Sequence, residues 1–198
     1  TCIFLNDDGL CRIHAKFGLE AKPTVCRTFP MQLIPHEKHA VLTYRRACPS
    51  AAADRGTLAK ERVALSVMCV GAAQAAVDLA RWYALDRKQF GQPIFDFQVI
   101  SHMLVDMQTQ VDAARMMAYR AAKLLADGLP CDAESSQAKY FASDVYVKVA
   151  TDGVQIMGAN GYAMEYPMQR HYRESKLFQI FGGTNQVQRN IIARSLKG

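Results

Sequence analysis

Near the carboxy-terminal end, Ile180 to Arg194 reads IFGGTNQVQRNIIAR: an apolar run, two adjacent glycines, then a segment patterned as a helix. Gly182 and Gly183 carry no side chain, so the backbone there can turn sharply and come close to a ligand. Thr184 and Asn185 follow, both good helix N-cap types, and a helix amino terminus attracts phosphate. At the other end of the chain, Cys2, Cys11, Cys26 and Cys48 lie on loop-rich sequence, with His14 three residues after Cys11 in CRIH. Thiolates beside an imidazole suit zinc or an iron–sulfur centre; disulfides or free thiols are the alternatives. With no export signal in the sequence, metal is favoured over a disulfide. Cys69 and Cys131 read as simple buried or surface thiols.

The elements that must position these groups fall into two unlike parts. Residues 1–50 hold four of the six cysteines, three of the five histidines and four of the seven prolines, with little helical periodicity. NDDG between the first two cysteines is a hairpin-turn signal. Residues 55–198 are long, amphipathic and helical, and the small-residue run CPSAAADRG is the seam. The periodicity predicts a helix from about Leu58 to Leu85, with Val63, Val67, Val70 and Val77 buried. FGQPI interrupts it. A second helix is expected from Phe95 to Asp127, with apolar positions at Ile100, Leu104, Met107, Val111, Ala114, Ala118, Ala121 and Leu125, a spacing of three and four throughout. A third spans Ala133 to Ile156, a shorter one lies near Pro167 to Phe178, and the last starts near Thr184. The expectation is a mainly α protein, a four-helix bundle preceded by a small irregular Cys-rich segment.

Half of the 198 residues are apolar and 21 % are charged, ordinary values for a globular protein. The net charge of +6 is modest and the basic residues are scattered, which argues against nucleic acid as a partner. No apolar run approaches the roughly 18 residues of a membrane span, and no signal peptide is evident, so a cytoplasmic location is expected. The chain opens on Thr1, which fits a fragment or a processed product. The abrupt change near residue 50 also fits a joining of two gene fragments.

Three punctuated segments are not required by core packing: YALDRKQFGQPIFDFQ (Tyr83 to Gln98), DGVQIMGANGYAMEYPMQRHYRESK (Asp152 to Lys176) and FGGTNQVQR. In this order and spacing, over about Leu58 to Lys197, they resemble the carboxy-terminal helical domain of the acyl-CoA dehydrogenases. That resemblance implies a flavoenzyme of fatty acid metabolism that removes the α proton of an acyl-CoA thioester as the β hydride passes to FAD. Such chemistry needs a carboxylate base and a polar cradle for an anionic dinucleotide. By resemblance, Arg87 and Gln98 contact the FAD pyrophosphate or its neighbourhood, and Phe90 shapes the same loop. Arginine suits pyrophosphate because its planar fork donates two hydrogen bonds at once. Gln155, Ile156, Met157, Gly158 and Ala159 match the family's FAD-touching loop, contributed across a subunit interface, with Ala159 in place of the usual second glycine. Thr184, Asn185 and Gln186 match its last FAD-contacting stretch. Turns and helix caps are the plain alternative for all of these.

Many members of that family carry a glutamate just before the Gly-Thr of the last segment, where this chain has Gly182. Its isovaleryl-type and long-chain branches instead keep the base at the opening of the first helix, which here reads LAKERVALS. The resemblance therefore implies Glu61 as base, with Ala59, Lys60 and Arg62 lining the acyl-CoA site and the Gly182-Gly183 backbone against the thioester. A first-turn acid favourable to the helix dipole, or a partner of Arg62, is the other reading of Glu61. The family's amino-terminal and middle domains are not visible in the sequence. A homo-oligomer, dimer or tetramer, and an electron-transfer flavoprotein-like acceptor are implied partners. CRIH…KPTVCRTFP separately resembles the later half of the YkgJ-like zinc- or iron-chelating cysteine-cluster proteins, which implies metal ligation by Cys2, Cys11, Cys26 and Cys48. A metal-binding module fused to a non-catalytic, oligomerising bundle is the competing reading.

Overall fold

The computed structural model describes residues 31–36, 39–44 and 55–197, with side-chain surroundings from residue 58 onward. The chain divides into two compact units at Leu58. In the first, β1 (Met31–His36) and β2 (His39–Tyr44) form an antiparallel pair with Met31 opposite Tyr44 and His36 opposite His39. The sequence expectation for this part was irregular structure. Ile34, Val41, Thr43 and Tyr44, β-branched or aromatic residues suited to a pleated ribbon, are what it undervalued.

Six helices follow: α1 (Arg55–Asp86), α2 (Gln98–Ala126), α3 (Asp132–Met157), α4 (Ala159–Tyr162), α5 (Met168–Phe178) and α6 (Asn185–Ser195). Helix α3 is the hub: α2, α4, α5 and α6 all pack on it. The long helices α1, α2 and α3 and the shorter α5 and α6 make up the expected helical bundle. The predicted α2 seam is buried as read at Leu104, Met107, Val111, Ala114, Ala118 and Ala121. Its alanines, with Ala73, Ala76 and Ala80 of α1 and Ala138, Ala142 and Ala150 of α3, let helix backbones approach closely. Val67 departs from expectation at 46 % exposed. The buried line of α1 runs through Val63, Ser66, Val70, Ala73 and Val77, and Val67 lies one residue round from it.

Helix α1 also corrects the membrane reading, since by length and composition it is apolar enough to cross a bilayer. Half of that apolar window is buried inside the protein. Between α1 and α2, β3 (Lys88–Gln89) and β4 (Gln92–Pro93) pair in a minimal hairpin, followed by a 3-10 turn at Ile94–Asp96. Its two-residue turn places Phe90 at φ 52° and Gly91 at φ 85°. That is the pattern of a type I′ turn, which asks an uncommon conformation of a phenylalanine.

Candidate functional site

Glu61 sits in the second turn of α1, because the helix begins at Arg55 and not at the expected Leu58. The first turn holds no acid. Helix-dipole stabilisation fades beyond that turn, so it does not account for a carboxylate here. Leu65, one turn further on, points the same way. A Cβ built on Gly182 would collide with Leu65 Cδ1 and stand 3.9 Å from Glu61 Oε1. The half-buried carboxylate and the glycine loop therefore meet, although some 120 residues of sequence separate them.

The loop takes its shape from two positive φ values, 65° at Gly182 and 86° at Gly183. Buried donors hold it from behind. Lys139 Nζ donates to Gly183 O and to Asn185 Oδ1, each at 2.9 Å. Gln188 Nε2 donates to the carbonyls of Gly182 and Gly183, both at 3.0 Å. Thr184 caps α6, its hydroxyl accepting from Val187 N–H as its residue type predicts.

Asn185 differs from expectation. Its side chain is 3 % exposed and turned into the protein, donating to Asp144 Oδ1 at 2.7 Å and Ser143 Oγ at 2.9 Å while accepting from Lys139. It locks α6 onto α3. Thr184, Gln186 and part of Asn185, with Lys176, Gln179, Asp144 and Arg189, line a cleft of about 240 Å³. Arg189 pairs with Asp144 at 3.1 Å and lies over the Tyr140 ring. Asp144 is thereby neutralised, leaving Lys176 and the α6 amino terminus to give the cleft a net positive character. The volume suits one part of an anionic ligand, since whole small-molecule sites run to roughly 300–1,000 Å³.

Of the residues read as lining a substrate site, Lys60 is exposed but Ala59 and Arg62 are buried, at 4 % and 7 %. Arg62 donates to Asp132 at 3.3 Å, tying α1 to the start of α3. Burial lowers its affinity for a proton and Asp132 opposes that.

A second group of predicted residues gathers at the other end of α1. Arg87 and Phe90 are exposed on the β3–β4 hairpin, Phe90 at 94 %, and Gln98 is exposed at the start of α2. Asn160 Nδ2 donates to Tyr83 Oη at 2.9 Å, bringing the α3–α4 junction to this end. At that junction Gln155, Gly158 and Ala159 are exposed, whereas Ile156 and Met157 are core residues at 4 % and 2 %. They fall on the inward face of α3 with Val149 and Gly153, so their side chains do not reach a ligand. Only Gly158 needs positive φ (58°), which is why alanine is accommodated at 159. At ~1.5 Å rise per residue, Glu61 and Arg87 stand about 39 Å apart along α1.

Lys139, Gln188 and Leu65 escaped the sequence reading. The signal for Lys139 was present: a lysine at an inward position of α3, between Ala138 and Ala142. Cys69 and Cys131 are free and buried, as expected, and burial pushes the Cys69 thiol up to about 12. The candidate metal ligands Cys2, Cys11, Cys26 and Cys48 lie outside the described residues. Among the described residues no group of three His, Cys, Asp or Glu side chains could hold a metal ion.

The family model for the acyl-CoA dehydrogenase carboxy-terminal domain matches residues 51–197. An acyl-CoA dehydrogenase of Bacillus subtilis is 47 % identical over 69 % of this chain and 36 % of its own length. The caffeyl-CoA reductase–Etf complex subunit CarC of Acetobacterium woodii is 41 % identical over 71 % of this chain and 37 % of its own. The solved butyryl-CoA dehydrogenase of Megasphaera elsdenii superposes with a TM-score of 0.73 at 38 % identity, over 83 % of this chain and 42 % of that one. The chain thus spans little more than a third of the curated relatives it matches. Nothing in these comparisons supports the resemblance of residues 1–50 to a cysteine-cluster family.

Proposed function

The chain belongs to the acyl-CoA dehydrogenase family, as its carboxy-terminal helical domain, and from that premise we propose that it serves the α,β-dehydrogenation of an acyl-CoA thioester with Glu61 as the base. The observation that carries this reading is the approach of Glu61 Oε1 to Gly182. The family's other position for a glutamate is vacated, and a carboxylate reaches the same place from α1. Glu61 takes the α proton, the thioester lies against the Gly182-Gly183 backbone, and an enoyl thioester remains. FAD, when bound, supplies the acceptor for the β hydride.

The described residues fit that cofactor in pieces. The positively biased cleft of Lys176, Thr184 and Gln186 suits a phosphate-bearing portion. Arg87, Gln98, Gln155 and the exposed Gly158-Ala159 backbone suit another, at the far end of the bundle. With about 39 Å between Glu61 and Arg87 along α1, the Arg87 end of one copy serves a flavin that faces the Glu61 of another copy. We therefore include in the proposal a homo-oligomer, dimer or tetramer. An electron-transfer flavoprotein is the proposed acceptor, in line with the Etf complex named for the A. woodii relative.

The test is reconstitution of the chain with FAD, followed by acyl-CoA. Flavin absorbance that appears with FAD and bleaches with acyl-CoA supports the reading; no flavin uptake removes it. A metal site on Cys2, Cys11, Cys26 and Cys48 is a separate proposal supported by their sequence pattern alone. Elemental analysis with neither zinc nor iron ends it.

A further inference from the structure

Among the described residues Lys139, on α3, is the most completely buried charged side chain, at 1 % exposed. A lysine is almost never fully buried unless its ammonium is paired or hydrogen-bonded. Here the ammonium is spent on backbone and amide: Gly183 O and Asn185 Oδ1, both at 2.9 Å. Gly183 O also accepts from Gln188, so two buried donors converge on the carbonyl of a glycine whose conformation needs outside support. Asn185, the second partner, is itself fastened to α3 through Ser143 and Asp144. The lysine thus joins the glycine turn, the start of α6 and the core of α3 at one atom.

We propose that Lys139 is the positioning residue of the site: its ammonium fixes the Gly182-Gly183 turn opposite Glu61. The hold on the turn stands on geometry; its bearing on catalysis rests on the reading of Glu61 as base. The titratable groups that interact with Lys139 are Cys69, Glu61 and Arg62 from α1 and Asp144 from its own helix; from α6 it meets only the neutral Asn185. Burial brings Lys139 down to about 8, opposed by Cys69, Asp144 and Glu61. Near neutral pH it keeps its charge, and above pH 8 it sheds it. A neutral amine is a weaker donor than an ammonium, so the turn should loosen over a pH range in which no surface lysine changes.

The experiment uses the whole chain and follows amide hydrogen exchange, corrected for its intrinsic pH dependence, together with the ¹³C titration of the Glu61 carboxyl. In Lys139→Met, exchange in residues 182–188 should accelerate about tenfold relative to the α2 core at 104–121, as expected for losing charge-assisted bonds. The Glu61 midpoint should rise, because a cation that interacts with it is gone. Lys139→Arg, which keeps the charge, should leave that midpoint near the original value. In the unmutated chain, exchange in residues 182–188 should quicken through about pH 8 while 104–121 does not. This last arm decides the matter even if the methionine variant fails to fold. An unchanged turn and midpoint in Lys139→Met, or equal loss of protection throughout the bundle, would overturn the proposal, the latter by showing a folding role only. Flavin uptake on the same samples separates the two readings. If it fails while the turn responds to Lys139, the acyl-CoA reading falls and the positioning role stands.

Discussion

Glu61 Oε1 lies 3.9 Å from the place a side chain at Gly182 would begin, and Leu65 Cδ1 already fills much of that place. Glu61 and Leu65 are successive turns of one helix, so α1 brings a carboxylate and blocks a competitor from the loop with the same face. The glycine is then required twice, by its φ of 65° and by Leu65.

Gly182→Ala should therefore destabilise the chain by about 1–3 kcal/mol, from left-handed strain and overpacking together. In a double-mutant cycle with Leu65→Ala the packing part should be recovered, giving non-additive urea midpoints. Strict additivity would mean that Leu65 does not confront Gly182.

Asn185→Ala removes the lock between α6 and α3 and strands the buried Lys139 ammonium and one hydrogen bond of the part-exposed Asp144. A loss of about 2–3 kcal/mol is expected, as for hydrogen bonds to charged groups. Because the side chain points inward, the change should weaken FAD binding less than Gln186→Ala does. Thermal unfolding and flavin titration of the two variants read both quantities, and a reversed ranking would place Asn185 at the ligand.

Phe90 holds a positive φ of 52° while 94 % exposed. Phe90→Asn suits the type I′ turn better and should raise stability by about 0.5–1 kcal/mol, at the expense of flavin uptake if the ring is displayed for a partner copy. Lower stability in this variant would show that its edge contact with Phe97 outweighs the backbone strain.

A pH effect on folding should come from His171. Tyr146 Oη lies 2.9 Å from its Nδ1. Burial keeps the tyrosine protonated. Burial also lowers the proton affinity of His171; Glu174 opposes this and Arg170 adds to it. The unfolded chain then binds the extra proton first as pH falls below about 6.5. The stabilisation is thus fully present above that value and declines toward lower pH. Urea midpoints measured from pH 7.5 down to 5.5 should fall, and His171→Gln should flatten that slope. An equal slope in the variant would assign it to other groups.

The parts of the fold legible in the sequence were those governed by periodicity. The α2 seam from Leu104 to Ala121 could be read because three-and-four spacing repeats over several turns. Val67 was misplaced because a long apolar helix offers more hydrophobic positions than it buries. The glycine turn and its Thr184 cap were legible from residue type, since φ preference and capping are local properties. Lys139, Gln188 and the inward turn of Asn185 were not, because each depends on α3 and α6 crossing, which no local pattern encodes. Glu61 stands between these cases: its type was visible, but only the fold sets it beside Gly182.

The most direct test of the central claim is solvent deuterium exchange at the α carbon of a bound acyl-CoA, in FAD-reconstituted protein, comparing the unmutated chain with Glu61→Gln. The unmutated chain should incorporate α-deuterium, and the variant should lose that activity by at least about 10²-fold with flavin absorbance retained. Equal incorporation in both would contradict the assignment of Glu61 as base.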